Sequence, residues 1–88
     1  MYSKKTVVQN KTGLHARPAS DFVAAAKNYK SKLTIKTSEE EANAKSIILL
    51  LSLGASAGTE VEICADGEDE VEAVEALVSL IDSKFGEE

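Results

Sequence analysis

Cysteine, histidine and proline each occur only once among the 88 residues of the chain. A single cysteine cannot form a disulfide within the chain, and this fits a reducing compartment such as the cytosol. A metal site is not expected, because there is no second histidine and Cys64 lies far from His15 in the sequence. Cys64 is therefore interpreted as a small packing or surface residue, and not as a nucleophile.

Long apolar runs and an excess of basic residues are also missing. No run approaches the roughly 20 apolar residues of a membrane-spanning helix, and the pattern of the first residues leads us to expect no signal peptide. Acids outnumber bases by 15 to 10, and this net charge of −5 argues against general nucleic-acid binding. With 43% hydrophobic and 28% charged residues, the composition is that of an ordinary globular protein. We expect one domain over residues 1–88, cytoplasmic, with no membrane insertion and no direct contact with nucleic acid.

The only histidine and the only proline lie close together, in the segment GLHARPAS at residues 13–20. From Ala16 onwards the apolar residues recur at the spacing of an amphipathic helix. Proline is tolerated near a helix start, where its missing N–H would have no partner within the helix. Pro18 therefore predicts that a helix begins within a residue or two of His15 and runs to about Asn28.

This position predicts an anion site. A helix N-terminus presents unpaired N–H groups and a partial positive charge. A phosphoryl group on His15 could be held by the backbone amides of Ala16 and Arg17, by the guanidinium of Arg17 and by the hydroxyl of Thr12. A lone histidine near a helix start is often only a capping or surface residue. The spacing of Gly13, Arg17 and Pro18 favours the phosphoryl acceptor.

The remaining periodicity predicts an α+β fold. Alternating residues predict strands, and 3.6-residue spacing predicts helices. The predicted strands are 2–8, 32–37, 41–44 and 60–66, and a last helix is predicted over about 68–84, with Val71, Val74, Val78 and Ile81 on its apolar face. This order predicts an open-faced two-layer sandwich, a four-stranded antiparallel sheet with three helices on one face. The acidic segment Glu39–Glu41 reads as a solvated turn.

The apolar segment SIILLLSL at residues 46–53 is either a buried strand or a short helix by its pattern alone. Ser46 suits a helix N-cap and Gly54 suits the position after a helix end, so about two helical turns are favoured. A helix that is apolar all round cannot bury every face under one sheet. Part of Ile47, Ile48, Leu50 and Leu51 is therefore expected to stay exposed as a docking patch, although all of them could be core.

The loop GASAGT at residues 54–59 consists mainly of small residues, which predicts close approach of a partner or of the histidine turn. It lacks the lysine of a phosphate-binding P-loop, so no nucleotide site is assigned.

Two segments resemble one known family. The segment GLHARPA at residues 13–19 closely resembles the phosphorylation motif of the HPr family. HPr proteins are the histidine-containing phosphocarriers of the bacterial phosphoenolpyruvate-dependent sugar phosphotransferase system. Residues 45–58 resemble the regulatory-serine segment of the same family, and the similarity runs over essentially the whole chain. The resemblance implies the HPr-like fold of four strands and three helices.

The resemblance also implies partners and roles. Enzyme I, itself phosphorylated from phosphoenolpyruvate, would pass its phosphoryl group to a ring nitrogen of His15, with Arg17 as the anion clamp. The carrier would then pass it to EIIA components of sugar permeases. It would be a substrate of enzymes, and not itself an enzyme, with no cofactor or metal, and it is expected to be a monomer.

Ser46 is a helix N-cap worth about 1 kcal/mol by its position alone. In Gram-positive-type members of the family it would also be phosphorylated by a serine kinase/phosphorylase, linking the carrier to a catabolite-control transcription factor. The added charge beside an apolar patch would hinder docking of acidic partners at His15. The predicted partner surface consists of Ser20, Lys27, Lys45, Ile47, Ile48 and Leu51.

Two other functions remain open. The chain could be a purely regulatory binding module that acts through Ser46, or a small hydrolase of acyl phosphates on a similar fold. Asp21, Ala24 and Glu39–Glu41 depart from what is expected of HPr proteins, and these departures bear on which partners pair well with the chain.

Overall fold

The computed structural model describes residues 1–9, 11 and 13–86, and its sheet has four antiparallel strands. The strands are β1 (Tyr2–Val7), β2 (Lys32–Lys36), β3 (Glu41–Asn43) and β4 (Glu60–Asp66). The helices are α1 (Ala16–Ala26), α2 (Ile47–Leu53) and α3 (Glu70–Asp82), followed by a 3-10 turn at Lys84–Gly86. The α+β sandwich predicted from the sequence is confirmed, and the segment at 46–53 forms a helix and not a strand.

The sheet has the strand order β1-β4-β2-β3, so β4 pairs with both β1 and β2. Tyr2 is opposite Ala65 in the β1–β4 pair, and Leu33 is opposite Ala65 in the β2–β4 pair. Alternation puts one set of side chains against the helices and leaves the other set on the open face. The buried set of β2 and β4 consists of Leu33, Ile35, Val61, Ile63 and Ala65.

Cys64 lies on the open face of the sheet, opposite Ser3 and Thr34 in the register, and is nevertheless buried. Burial is the main cause that raises the pKa of its thiol, and the carboxylate of Glu62 adds to the effect. A raised pKa keeps the thiol protonated and unreactive. Of the two roles considered for Cys64, packing is the one that the structure shows.

Helix α3 is tied to the edge strand β1 by side-chain hydrogen bonds. The Tyr2 hydroxyl donates to Oε2 of Glu75 at 2.6 Å, Lys4 Nζ lies 3.2 Å from Oε1 of the same carboxylate, and the Thr6 hydroxyl donates to Asp82. The bond from Tyr2, followed by that from Lys4, lowers the pKa of Glu75. These contacts fix β1 against the helix layer of its own chain.

The last helix begins two residues later than predicted, at Glu70, and ends at Asp82 instead of Lys84. At the start of α3, the carboxylate of Asp69 does not cap the helix but accepts hydrogen bonds from the loop after α1. The donors are the backbone N–H groups of Lys30 at 2.8 Å and Ser31 at 2.9 Å, together with the Ser31 hydroxyl. These bonds lower the pKa of Asp69, that from the Ser31 hydroxyl most strongly.

The apolar face predicted for α3 is partly wrong, since Val71 is 50% exposed. The buried face consists of Ala73, Val74, Leu77, Val78 and Ile81. Val71 lies in the first turn of the helix, before this face begins. The tail at residues 87–88, predicted to be frayed, lies outside the described residues.

Candidate functional site

His15 is the residue immediately before α1, and its ring is exposed. Its backbone is extended, with φ −97° and ψ −167°, while its carbonyl accepts the first hydrogen bond of the helix from Ala19 N–H at 2.8 Å. This is the geometry of an N-cap residue. The His15 side chain makes no capping hydrogen bond, so the imidazole is not needed to hold the start of the helix and is available to a ligand.

Two backbone donors are available at this helix start. Ala16 and Arg17 occupy the first two helical positions, where N–H groups have no acceptor within the helix. Pro18 follows and has no N–H, and the next amide, that of Ala19, is used by the His15 carbonyl. An anion beside His15 would therefore meet two amides and the partial positive charge of α1.

Arg17 is exposed, and among the described residues its guanidinium has no hydrogen-bond or ion-pair partner. A guanidinium that is not already paired can bind two oxygens of an anion at once. Thr12, the other predicted ligand of the phosphoryl group, lies outside the described residues.

The histidine turn rests on the loop that follows α2. The Leu14 N–H donates to the Ala55 carbonyl at 2.8 Å. Gly13 has φ +64°, and a Cβ placed on it would lie 2.5 Å from the Ala55 carbonyl oxygen and 2.7 Å from Ser56 Cα. Only glycine allows this approach, so the predicted close contact between the small-residue loop and the histidine turn is confirmed.

An open cleft of about 320 Å³ separates His15 from α2. Its lining consists of Leu14, His15, Leu51, Gly54, Ala55 and Ser56. The apolar surface of α2 thus reaches the side of the histidine. Ser56 was not among the site residues predicted from the sequence. The only feature of the sequence that pointed to it was its position in the small-residue loop.

Helix α2 begins and ends as predicted. The Ser46 side chain accepts a hydrogen bond from Leu49 N–H at 3.3 Å, and Gly54 adopts the left-handed conformation, φ +65°, at the helix end. Its apolar residues divide into two faces. Leu50 is fully buried, whereas Ile48 is 73% exposed and Leu49 is 48% exposed.

The exposed apolar patch expected on α2 is therefore present, with one correction, and its use as a docking surface stays a prediction. Leu50 belongs to the core, and Leu49, which was not predicted, is exposed together with Ile47, Ile48 and Leu51. A patch of aliphatic side chains rimmed by polar residues is typical of a protein-binding surface.

The other residues of the predicted partner surface differ in their surroundings. Ser20 on α1 and Lys27, which directly follows it, are both exposed. Lys45 precedes α2 and is half-buried, with its Nζ donating to the Tyr29 carbonyl at 2.7 Å. Lys45 therefore links the loop after α1 to the start of α2, and its ammonium group already has a hydrogen-bond acceptor.

Negative charge is concentrated away from the histidine motif in the sequence. Eleven of the fifteen acids fall in residues 60–88, which form β4, α3 and the following tail. Asp21 and Ala24, both exposed on α1, are the departures from the family pattern closest to His15 in the sequence. Only one acid therefore lies within α1.

Two kinds of site are not found in the part of the chain that the structure describes. No helix there is long and apolar enough to cross a membrane. No three His, Cys, Asp or Glu side chains among residues 1–9, 11 and 13–86 are grouped so that they could hold a metal ion.

Residues 2–83 match the family model described as "PTS HPr component phosphorylation site". Phosphocarrier protein HPr of Haemophilus influenzae is 47% identical over 81 residues, which are 92% of this chain and 95% of the relative. The crystal structure of HPr from Thermoanaerobacter tengcongensis superposes with a TM-score of 0.97 at 49% identity, covering 100% of this chain and 99% of the other.

A crystal structure of Crh, a catabolite repression protein of Bacillus subtilis, superposes with a TM-score of 0.76 at 44% identity. It covers 96% of this chain and 97% of Crh, and it is described as an intertwined dimer formed by swapping. These similarities extend over nearly the whole chain and are not confined to the histidine motif.

Proposed function

Because the chain belongs to the HPr family of phosphocarriers of the phosphotransferase system, we propose that His15 is the residue that accepts and hands on the phosphoryl group. One observation carries the proposal: the only histidine caps α1 with an exposed ring beside two available backbone amides. Proteins of this family are carriers and not enzymes, so the hydrolase hypothesis is not supported.

In the proposed transfer, a ring nitrogen of His15 uses its lone pair to form a P–N bond as the bond between phosphorus and the donor breaks. The amides of Ala16 and Arg17 and the Arg17 guanidinium stabilise the transferred oxygens. The reverse order of bond making and breaking passes the group to the acceptor. Thr12 stays a predicted ligand of the phosphoryl group.

The proposed partners are Enzyme I upstream and EIIA components of sugar permeases downstream. The proposed docking surface consists of Ser20 on α1, Lys27 just after α1, and Ile47, Ile48 and Leu51 on α2, all of which are exposed. Of these, Leu51 lines the cleft beside His15. Lys45, whose Nζ is bound to the Tyr29 carbonyl, would act through its charge at the rim. Location in the cytoplasm and a single domain over 1–88 are parts of the same proposal.

The decisive experiment is incubation with Enzyme I, magnesium and labelled phosphoenolpyruvate. Acid-labile, base-stable label is expected on the wild type and none on His15→Ala. The circular-dichroism spectrum of the variant should match that of the wild type, because His15 caps α1 without a side-chain bond. Labelling of His15→Ala to the level of the wild type would contradict the acceptor role.

Ser46 is the proposed regulatory site, to be phosphorylated by a serine kinase/phosphorylase and read by a catabolite-control transcription factor. Its hydroxyl lies at the start of α2, next to the exposed Ile47 and Ile48. Negative charge there would weaken docking of an acidic partner without refolding the helix. Ser46→Asp should slow transfer from Enzyme I, and unchanged kinetics would count against the role. A purely regulatory function is less favoured, since it leaves the exposed His15 without a role.

A monomer is proposed for this chain, although Crh assembles as a swapped dimer. The support is that a swap of β1 into a second copy would first have to break the bonds of Tyr2, Lys4 and Thr6 to α3. Light scattering after size-exclusion chromatography should give the mass of a single chain at micromolar concentration. A stable species of twice that mass would contradict the proposal.

A further inference from the structure

The loop after α2 supplies one wall of the cleft beside His15, and Ser56 is the polar side chain of that wall. Of the described residues that line the cleft, only His15 and Ser56 carry polar side chains. Ser56 is exposed, so its hydroxyl is accessible to a group bound on the histidine. Leu51 and Ala55 beside it offer only apolar surface.

The structure fixes Ser56 relative to His15. The residue before Ser56 accepts the Leu14 N–H at 2.8 Å. Gly13 lies so close to Ser56 that an added Cβ would come within 2.7 Å of Ser56 Cα. The position of Ser56 is therefore fixed relative to the histidine turn by direct contact between their backbones.

The Ser56 hydroxyl is only weakly engaged. Its oxygen is 3.4 Å from the hydroxyl oxygen of Thr59, longer than a normal O–H···O bond. The same Thr59 oxygen accepts the Ser56 backbone N–H at 3.2 Å, which holds the loop whatever the Ser56 side chain does. A turn of the side chain to another staggered rotamer would release the hydroxyl without opening the loop.

We propose that the Ser56 hydroxyl donates a hydrogen bond to a phosphoryl oxygen of phosphorylated His15. This inference rests on the acceptor role proposed above. The backbone donors available at the start of α1 are the amides of Ala16 and Arg17, because Pro18 lacks the amide that would otherwise have been the third. Ser56 adds a donor from the loop after α2. It transfers no proton and forms no bond to phosphorus.

The equilibrium between phosphorylated Enzyme I and the carrier, at a fixed ratio of phosphoenolpyruvate to pyruvate, measures this bond. Ser56→Ala should lower the equilibrium constant for phosphorylation roughly three- to tenfold, the effect of one net hydrogen bond. Ser56→Thr, which keeps a hydroxyl, should restore most of it. Ser52→Ala is the matched control, because the Ser52 hydroxyl donates to the Ile48 carbonyl at 2.9 Å and does not line the cleft.

A phosphorus NMR titration separates a direct bond from a structural effect. A donor stabilises the phosphoryl dianion more than the monoanion, so its loss should raise the pKa of the phosphoryl group in Ser56→Ala and not in Ser52→Ala. An unchanged equilibrium and titration in Ser56→Ala, with the wild type phosphorylated on His15, would overturn the role of Ser56 alone. A wild type that carries no phosphoryl group on His15 would overturn both proposals.

Discussion

The two ends of α1 use their polar groups in opposite ways. At the start, the His15 ring and the Arg17 guanidinium are exposed and have no hydrogen-bonding partner within residues 1–9, 11 and 13–86. Past the other end, the backbone amides of Lys30 and Ser31 both bond to the Asp69 carboxylate, and the Tyr29 carbonyl accepts Lys45 Nζ. The paired end connects the elements of the fold, while the open end is left for a ligand.

Groups available for binding therefore lie at the start of α1, and groups that stabilise the fold lie in the loop after its end. Polar groups that are hydrogen-bonded to each other cannot bind a phosphoryl oxygen unless that hydrogen bond first breaks. Groups that are solvated can exchange water for a ligand. Substitutions at the open end should therefore change transfer and leave folding intact, and substitutions at the paired end or in the core should do the reverse.

The largest effect on stability is expected in the core, for Leu50→Ala on the buried face of α2. Leu50 is fully buried, so its truncation should lower the free energy of unfolding by about 2–5 kcal/mol. Ile48→Ala, on the exposed face of the same helix, should change it by less than about 0.5 kcal/mol and should instead weaken partner binding. Urea unfolding of both variants measures the contrast, and equal losses would contradict the division of α2 into two faces.

Gly13→Ala should impair both folding stability and transfer, because Gly13 joins the histidine turn to the loop after α2. The added Cβ meets the Ala55 carbonyl at 2.5 Å on a backbone with φ +64°, which should cost about 2–4 kcal/mol and also slow transfer. Gly58→Ala is the control, since Gly58 has φ +91° but nothing within 4 Å of its Cβ position. If the two variants lose equal stability, the contact with Ala55 does not matter.

Arg17→Ala should impair transfer without lowering folding stability. Loss of a charge-assisted hydrogen bond to the phosphoryl group is expected to lower kcat/KM for transfer from Enzyme I roughly 10- to 100-fold. The unfolding free energy should stay within about 0.5 kcal/mol of that of the wild type, since the guanidinium is exposed. Lys30→Ala removes the same charge near the other end of the helix and should leave transfer unchanged. Equal transfer defects in the two variants would indicate a general charge effect.

Asp69→Ala tests the paired end through its pH dependence. Hydrogen bonds from the Ser31 hydroxyl and from the Lys30 and Ser31 amides lower the pKa of Asp69 in the folded protein. Because the folded pKa is below the unfolded value, the stabilisation is complete above about pH 4 and is lost as the pH falls through the folded pKa. The stability difference between wild type and Asp69→Ala should be largest near neutral pH and should shrink in acid.

Thermal unfolding of the wild type and of Asp69→Ala between neutral and acid pH measures this stability difference. Transfer assays at neutral pH provide the functional readout. Glu72→Gln serves as the control, because Glu72 is exposed in the first turn of α3 and has no hydrogen bond to any described residue. A stability difference that does not vary with pH would show that the carboxylate of Asp69 is not the stabilising group. A loss of transfer in Asp69→Ala would show that the two ends of α1 are coupled.

Features fixed by local sequence were predictable. Pro18 placed the start of α1 next to His15, and Ser46 and Gly54 bounded α2, because caps and turn residues act over a few positions. Alternation in 60–66 was strong enough to give β4 its bounds. The order of these elements was then sufficient to predict an open-faced sandwich.

Features that depend on distant contacts were not predictable. Asp69 bonds to Ser31, which lies 38 positions earlier, and nothing local distinguishes Asp69 from the neighbouring acids at the start of α3. Because every residue of α2 except Ser52 is apolar, its sequence has no clear period and did not show that Leu50 would be buried and Leu49 exposed. Ser56 became a candidate only when the fold brought its loop to His15.

Nitrogen and phosphorus NMR of the protein phosphorylated by Enzyme I identifies the atom that carries the phosphoryl group. We expect one phosphoramidate signal, with coupling between phosphorus and a ring nitrogen of His15. A phosphomonoester signal from a serine hydroxyl in place of this coupling would contradict the claim that the open end of α1 carries the transferred group.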